Sequence, residues 1–268
     1  MEDFLRGTFV PKKRLGQNFL VDKRVVARIV EACELSADET ILEIGPGTGA
    51  LTREMMPLVR RIIAVETDRQ LAEKLRTDFP ADKLEVHCED FLRFDLAQVP
   101  RPLKAVGNLP YYISSPIIGR VLKEREVFSA LFMTAQLEFG ERLVALPGSK
   151  DYGALSVLVQ FYADTKLLFR IGNQAFRPVP KVNSCFIRMT LRNQPAISVK
   201  DVQFFEKVVR LGFLQRRKTL LNALASLGRK DMLASVLSSS GLPTQVRAEN
   251  LSVQDFGRLA DLLLEAQP

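Results

Sequence analysis

Short apolar runs alternate with amphipathic stretches through the first part of the chain. Asp22 precedes apolar residues spaced three and four apart, from Val25 to Cys33, which predicts a capped helix. Further helices are predicted at 51–58 and 69–77. Short apolar runs predict buried strands at 40–44, 61–65, 84–88 and 103–106. Because strands alternate with helices, the pattern predicts an α/β protein with a parallel, doubly wound sheet.

The pattern changes after Lys200, where only helices are predicted. They cover 201–214, 216–227, 230–240 and 252–265, and glycine-containing breaks separate them. A chain of 268 residues is longer than one typical domain and shorter than two average ones. We therefore expect a larger domain over 1–195, whose first 20 residues form a basic arm, and a smaller all-helical domain over 196–268.

Composition excludes several classes of protein. With 47% hydrophobic and 26% charged residues, the chain resembles a soluble globular protein. The 3 cysteines form no CxxC pair and the single histidine is His87, which argues against zinc ribbons and histidine-rich metal sites. The chain has no apolar run of membrane-spanning length and no secretory signal pattern. We expect a cytoplasmic, monomeric protein that uses no metal.

Positive charge is concentrated in one part of the chain. Residues 165–230 hold fourteen Lys or Arg and two Asp or Glu, a net charge of +12. Since the whole chain carries +7, the remainder carries −5. This asymmetry predicts a polyanionic partner bound on one face. The alternative interpretation is a solvated face whose basic residues serve solubility.

Polar residues and a glycine-rich loop follow the predicted strands. Gly45-Pro46-Gly47-Thr48-Gly49 comes after the first strand, Glu66 ends the second, and Asp90 and Asn108 follow the third and fourth. In a parallel sheet, these strand ends line a common ligand crevice. Glycines let the backbone approach a ligand, Glu66 can accept hydrogen bonds from ribose hydroxyls, and Asp90 can accept one from an adenine amine. NAD and S-adenosylmethionine both fit this pattern, and a tight turn without a ligand is the alternative.

The segment Asn108-Leu109-Pro110-Tyr111 favours S-adenosylmethionine, because its chemistry suits methylation of an amine. The Asn108 side-chain oxygen and the Leu109 carbonyl can accept the N–H bonds of an exocyclic adenine amine. Pro110 fixes the turn, and Tyr111 offers a face for stacking a planar base. NAD would need a hydride partner and a second nucleotide site, and neither is found. The alternative is a polar turn that leads into two core tyrosines.

Longer motifs extend over almost the whole chain. They are LGQNFLVD at 15–22, EIGPGTGALT at 43–52, NLPYYISSPII at 108–118, PGSKDYGALSVLVQ at 147–160, FRPVPKVNS at 176–184 and QRRKTLLNAL at 215–224. In these motifs the chain resembles the S-adenosylmethionine-dependent ribosomal RNA adenine N6-dimethyltransferases. The resemblance implies a Rossmann-like class I methyltransferase sheet, a smaller all-helical C-terminal domain and S-adenosylmethionine as cofactor.

The resemblance also implies roles for individual residues around the cofactor and the target adenine. The residues implied to bind the cofactor are Gln17, Asn18 and Leu20 near its methionine end, Gly45, Gly47 and Gly49 along it, Glu66 and Thr67 at its ribose, and Asp90 and Phe91 at its adenine. Asn108, with Leu109 and Pro110, is implied to lie at the methyl transfer point. Tyr111 and Phe176 are implied to stack on the two faces of the target base. From the residues alone, Phe176 can equally be a loop anchor that packs inward.

The implied substrate is a pair of adjacent adenines near the 3′ end of 16S ribosomal RNA, within the small ribosomal subunit. Basic residues expected to contact this RNA are Lys12, Lys13 and Arg14 in the arm, Arg177 and Lys181 in a loop, and Arg210, Arg216, Arg217 and Lys218 in the helical region. One alternative is a large-subunit ribosomal RNA adenine methyltransferase of the antibiotic-resistance branch. Another is a non-catalytic RNA-binding assembly factor on the same scaffold.

Overall fold

A computed structural model describes residues 16–215 and 217–267 of the chain. The strands in these ranges are β1 (Phe19–Leu20), β2 (Thr40–Ile44), β3 (Arg61–Val65), β4 (Leu84–His87), β5 (Leu103–Asn108), β6 (Phe128–Gln136), β7 (Ala163–Ile171), β8 (Phe176–Arg177) and β9 (Ser184–Leu191). The α-helices are α1 (Lys23–Ala32), α2 (Ala50–Met55), α3 (Arg69–Asp78), α4 (Ser114–Lys123), α5 (Leu137–Leu143), α6 (Ala154–Tyr162), α7 (Val202–Leu214), α8 (Leu220–Ala223), α9 (Lys230–Ser239) and α10 (Val253–Glu265).

Seven strands form one sheet in the order β4-β3-β2-β5-β6-β9-β7. The pairs from β4 through β6 are parallel, whereas β6 and β9 are antiparallel. Successive strands run outward from β2 through β3 to β4, and β5 then returns to the other side of β2. The sheet therefore reverses its direction of winding between β2 and β5, which is where α/β sheets form ligand crevices.

The predicted α/β fold is confirmed, and the strands predicted at 40–44 and 61–65 have the observed bounds. Asp22 caps α1 as predicted, since its carboxylate accepts from the Arg24 N–H at 2.9 Å and from the Val25 N–H at 3.4 Å. The buried face of α1 is Val26, Ile29 and Val30. Local propensity and hydrophobic pattern therefore agree with the tertiary structure in this half of the sheet.

Two predicted helices are shorter in the structure. The helix predicted at 51–58 gives way to a 3₁₀ turn over Met56–Leu58, where Pro57 supplies no N–H for an α-helical hydrogen bond. In place of a helix over 216–227, the structure has α8 followed by a 3₁₀ turn over Ala225–Leu227. Strands β6, β7 and β9 and the antiparallel half of the sheet were not predicted.

A separate two-stranded sheet connects distant parts of the sequence. Strand β1 pairs antiparallel with β8, with Phe19 opposite Arg177 and Leu20 opposite Phe176. The Val21 N–H also donates to the Ala175 carbonyl at 2.8 Å. Two of the family-like motifs, at 15–22 and 176–184, are therefore held side by side.

The chain divides into two compact units. The first comprises the described residues up to Gly140 together with Lys166–Leu191, and the second comprises Glu141–Thr165 and the described residues from Arg192 onward. A single cut at 195 would place 141–165 in the first unit instead. This segment groups with the C-terminal helices because α6 packs on α7, where the ring centroids of Phe161 and Phe205 are 4.4 Å apart.

Candidate active site

A cavity of about 990 Å³, part of it open to solvent, lies at the carboxyl ends of β2 and β5. Predicted site residues that line it are Gln17, Asn18, Leu20, Gly45, Gly47, Glu66, Thr67, Asp90, Phe91, Asn108, Leu109, Pro110 and Tyr111. Segments from five separate places in the sequence therefore meet at one site.

The glycine-rich loop forms one wall of the cavity. Gly45 and Gly47 have φ of +66° and +60°, a conformation that favours glycine. A Cβ on Gly45 would meet no other atom within 4 Å, so this backbone faces open space. Gly49 differs, because it does not line the cavity and its Cβ would lie 2.8 Å from the Phe79 ring. Gly49, which was expected to lie against the cofactor, is instead placed where α2 begins against the Leu75 and Phe79 side chains.

Glu66 is buried at the end of β3, with 6% of its surface exposed. One carboxylate oxygen accepts from the Gly47 N–H at 3.0 Å, and the other accepts from the Asp68 N–H at 2.8 Å. Burial raises the pKa of Glu66, whereas these two hydrogen bonds act to lower it. The two backbone donors fix the carboxylate beside the loop, and its further lone pairs can accept hydroxyl hydrogens.

A second buried carboxyl, Glu43, was not predicted as a site residue. It lies on β2, lines the cavity and accepts a hydrogen bond from the Thr52 hydroxyl at 2.7 Å. Burial raises its pKa from 4.5 to about 8, and the nearby charge of Glu66 adds to the effect. Its position within the motif at 43–52 was the only available sequence signal.

Asp90, Phe91 and Thr67 form the end of the cavity beyond Glu66. An Asp90 carboxylate oxygen accepts from the Leu92 N–H at 2.9 Å, which orients the side chain. The Phe91 side chain is buried, and the Thr67 hydroxyl contacts the Glu89 carbonyl at 3.4 Å. This end can hold a planar apolar ring and accept a hydrogen bond from its amine.

The segment before α1 closes the other side. Gln17 donates from its side-chain amide to the Asp68 carboxylate at 3.2 Å. Asn18 donates from its side chain to the Gly16 carbonyl at 3.2 Å, and Leu20 is buried within β1. Asp68, which also caps α3, is a partner that sequence reasoning missed.

Asn108 ends β5 with its carboxamide held at both ends. Its Nδ2 donates to the Asn18 carbonyl at 2.8 Å, and its Oδ1 accepts from the Thr134 hydroxyl. Leu109 is buried, and the Pro110 carbonyl accepts from the Ile113 N–H at 3.1 Å, which closes a tight turn. The residues expected at the methyl transfer point are thus brought to the cavity by this turn.

Two tyrosines follow Pro110 in a 3₁₀ turn and both line the cavity. The Tyr111 hydroxyl is 2.7 Å from the Ser184 hydroxyl, and burial raises its pKa. Tyr112 is 62% exposed. The alternative of two core tyrosines does not describe this turn, because Tyr112 is exposed and Tyr111 borders the cavity.

Phe176 does not occupy the position expected of a stacking residue. Its ring has 0% exposure and belongs to the main hydrophobic cluster, and it does not line the cavity. The pairing of β8 with β1 places Phe176 opposite buried Leu20, which explains the inward orientation. The structure therefore corrects the stacking prediction in favour of the inward-packing alternative.

The predicted RNA-contacting residues lie at the surface where the structure describes them. Arg177, Lys181, Arg217 and Lys218 are exposed, whereas Lys12, Lys13, Arg14 and Arg216 lie outside the described residues. Arg210 forms an ion pair with Glu206 at 3.3 Å, so part of its charge is already balanced. The Arg177 guanidinium donates to the Phe176 carbonyl at 2.8 Å.

Among residues 16–215 and 217–267, no group of three or more His, Cys, Asp or Glu is arranged to hold a metal ion. The Nε2 atom of His87 is 2.7 Å from the Glu85 carboxylate. None of the helices in the described ranges has the length and apolar composition that a membrane span requires.

Comparisons with known proteins agree with this geometry. The family model for ribosomal RNA adenine dimethylases matches residues 9–265. A protein named ribosomal RNA small subunit methyltransferase A from Syntrophotalea carbinolica is 46% identical over 256 residues, which cover 94% of this chain and 97% of the relative. A protein of the same name from Moorella thermoacetica is 39% identical, with 95% and 93% of the two chains covered.

Two solved structures share the fold. A dimethyladenosine transferase from Plasmodium falciparum has a TM-score of 0.78 at 24% identity, covering 90% of this chain and 95% of the other. The 23S rRNA methyltransferase ErmE has a TM-score of 0.72 at 29% identity, covering 92% and 99%. The class I methyltransferase fold predicted from the motifs is confirmed. With a family model matched over nearly its whole length, the chain belongs to the ribosomal RNA adenine dimethylase family.

Proposed function

We propose that this protein transfers methyl groups from S-adenosylmethionine to the N6 amines of two adjacent adenines near the 3′ end of 16S ribosomal RNA. The observation that carries the proposal is that one cavity joins the Gly45–Gly47 loop and Glu66 to Asn108 and Tyr111. Residues suited to a nucleoside and residues suited to the target adenine amine thus line the same cavity. The two relatives described above, at 46% and 39% identity, are named for the small subunit, which supports this choice of RNA.

The residues present fit S-adenosylmethionine. The open space above Gly45 would admit a ligand against the backbone, and buried Glu66 is an acceptor suited to ribose hydroxyls. Asp90 and Phe91 would hold the adenine ring, and Gln17 and Asn18 would lie at the methionine end. When bound, this cofactor supplies an electrophilic methyl group on a positively charged sulfur.

The chain's own residues would position and activate the target amine. The Asn108 Oδ1 atom and the Leu109 carbonyl would accept its N–H bonds, which favours a pyramidal nitrogen with a localised lone pair. Tyr111 would stack on the base, while the Ser184 hydroxyl contact keeps its ring in place. Catalysis would come mainly from alignment and from hydrogen bonds that strengthen as the nitrogen pyramidalises.

The residues 1–195 would bind the cofactor and perform the transfer, and 196–268 would contact RNA. Lys12, Lys13, Arg14, Arg177 and Lys181 would add RNA contacts, together with Arg210, Arg216, Arg217 and Lys218. We further propose a cytoplasmic monomer. Modification of large-subunit RNA is the second candidate, favoured only by the 29% identity with ErmE.

Transfer of radiolabelled methyl groups from S-adenosylmethionine tests the proposal. The substrates are small subunits, large subunits and the naked RNA of each, with Asn108→Ala as the inactive variant and exposed Asn193→Ala as its control. We expect label in small subunits, mapped to N6-dimethyladenine, with Asn193→Ala active and Asn108→Ala inactive. Label confined to large-subunit RNA would favour the second candidate. Tight RNA binding without label on any substrate would favour a non-catalytic assembly factor.

A further inference from the structure

Thr134 lies directly beside the proposed methyl transfer point. Strands β5 and β6 are parallel, and their register places Thr134 next to Asn108. Thr134 has 0% exposure and sits between buried Met133 and Ala135 on β6. Its hydroxyl donates to the Asn108 Oδ1 atom. Burying a hydroxyl among apolar neighbours costs free energy unless the hydroxyl is hydrogen-bonded. The hydrogen bond to Asn108 meets this requirement for Thr134.

The two contacts of the Asn108 carboxamide define which of its ends is oxygen. The Asn18 carbonyl can only accept, so it requires the NH₂ group on its side. The Thr134 hydroxyl, as a donor, requires the oxygen on the other side. A flipped carboxamide would place two oxygens together at Asn18 and would take away the acceptor that the buried Thr134 hydroxyl hydrogen has at Asn108. The oxygen's second lone pair remains available for a substrate N–H.

We infer that Thr134 is a positioning residue that fixes the Asn108 carboxamide with its oxygen toward the target amine. This inference rests on the proposed function and deepens it, because it assigns the group that sets the orientation of the amine acceptor. Thr134 does not line the cavity, so it acts through Asn108 without touching the substrate. A flipped Asn108 would present N–H to N–H and would oppose the transfer.

Substitutions at 134 separate the hydroxyl from the shape of the side chain. Thr134→Val keeps the branched shape and removes the donor, whereas Thr134→Ser keeps the donor and removes the methyl group. We expect Thr134→Val to lower kcat on small subunits about tenfold, within the range for loss of one partner of a buried hydrogen bond. The KM for small subunits and the Kd for S-adenosylmethionine should hardly change. We expect Thr134→Ser to recover most of kcat.

Thermal unfolding of each variant distinguishes positioning from a structural role. Exposed Thr190→Val on β9 is the control for the same chemical change away from the site. The inference requires that kcat follow the hydroxyl, whichever variant has the higher Tm. Wild-type kcat in Thr134→Val would overturn it, as would Thr134→Ser that is as slow as Thr134→Val. A parallel loss of cofactor affinity would also overturn it.

Nuclear magnetic resonance of the Asn108 side-chain amide tests the geometry without turnover. The NH₂ signals are assigned by their absence in Asn108→Ala. Thr134→Val should shift them and speed their exchange with water, whereas Thr134→Ser should preserve them. If the wild type transfers no label to any RNA, the proposed function fails even where these signals behave as expected. If the wild type is active and the signals do not respond to Thr134→Val, only the role of Thr134 fails.

Discussion

Asn108 and Tyr111 each depend on a buried hydroxyl from a neighbouring strand. Thr134 on β6 contacts Asn108, and Ser184 on β9 contacts Tyr111. The motif at 108–118 indicated Asn108 and Tyr111 as site residues from the sequence. Their partners could not be predicted, because they depend on how β6 aligns with β5 and β9. The register between these strands therefore determines which hydroxyls orient the Asn108 and Tyr111 side chains.

Glu43→Gln should make the stability of the protein less dependent on pH. The pKa of Glu43 is raised by burial from 4.5 to about 8 in the folded protein. Between these values the folded protein holds a proton that the unfolded chain has released. The contribution of Glu43 to stability is therefore fully present below the unfolded pKa and is lost as pH rises through about 8. Glutamine does not titrate, so the variant does not lose this contribution to stability as pH rises.

The measurement is Tm across that pH window, for protein without cofactor. Wild-type Tm should fall more steeply with rising pH than the Tm of Glu43→Gln. Exposed Glu54→Gln, on α2, removes a carboxyl of the same kind and should keep the wild-type slope. Parallel curves for wild type and Glu43→Gln would show that burial does not perturb this carboxyl.

At the scale of elements, local patterns predicted the half of the sheet that carries the cofactor site. Its strands are short and apolar, and each is followed by a polar or glycine-rich turn, as at Gly45 and Asn108. Strand β6 was not predicted even though it is almost entirely buried. A largely apolar segment such as 128–136 has no regular alternation that would distinguish a central strand from a buried helix. Pairing of β1 with β8 was also inaccessible, since each contains only two residues.

Phe176→Leu should affect stability more than catalysis. The ring is fully buried in the hydrophobic cluster beside Leu20, so the smaller side chain leaves unfilled space. We expect the free energy of unfolding to fall by about 1 kcal/mol or more. The kcat on small subunits should remain close to that of the wild type.

Chemical denaturation and methyl transfer assays together check this prediction. Tyr111→Leu provides the contrast, because Tyr111 borders the cavity and should lose kcat with a smaller loss of stability. A Phe176→Leu protein with wild-type stability and greatly reduced kcat would restore the stacking role expected from the resemblance.

Along the whole chain, the excess positive charge and most of the cavity-lining residues lie in different segments. The segment 165–230 carries +12, whereas the remainder, including the acidic residues of the cavity, carries −5. Long-range attraction of RNA and local binding of a cofactor can therefore be altered separately.

Replacing Arg217 and Lys218 with glutamine should weaken RNA binding and reduce its salt dependence. Both side chains are exposed and lie within the basic segment. If each contacts a phosphate, the slope of log K against log salt should become less negative by about 1 to 2. Filter binding over a range of salt concentrations measures the slope, and calorimetry should show unchanged affinity for S-adenosylmethionine.

The matched control is the pair Arg60→Gln and Lys123→Gln, which removes the same charge from exposed positions outside the basic segment. Its salt dependence should stay closer to that of the wild type. Equal slopes for the two double variants would mean that net charge alone determines RNA binding. A loss of cofactor affinity in the Arg217 and Lys218 variant would contradict the separation of the two tasks.

The pairing of β1 with β8 has a consequence for synthesis of the protein. Leu20 leaves the ribosome early, but its partner Phe176 is added only after all the parallel strands of the sheet. A nascent chain that already contains the glycine-rich loop and Asn108 still lacks the strand that holds residues 19 and 20. The part of the cavity wall that contains Leu20 is thus fixed in place only late in translation.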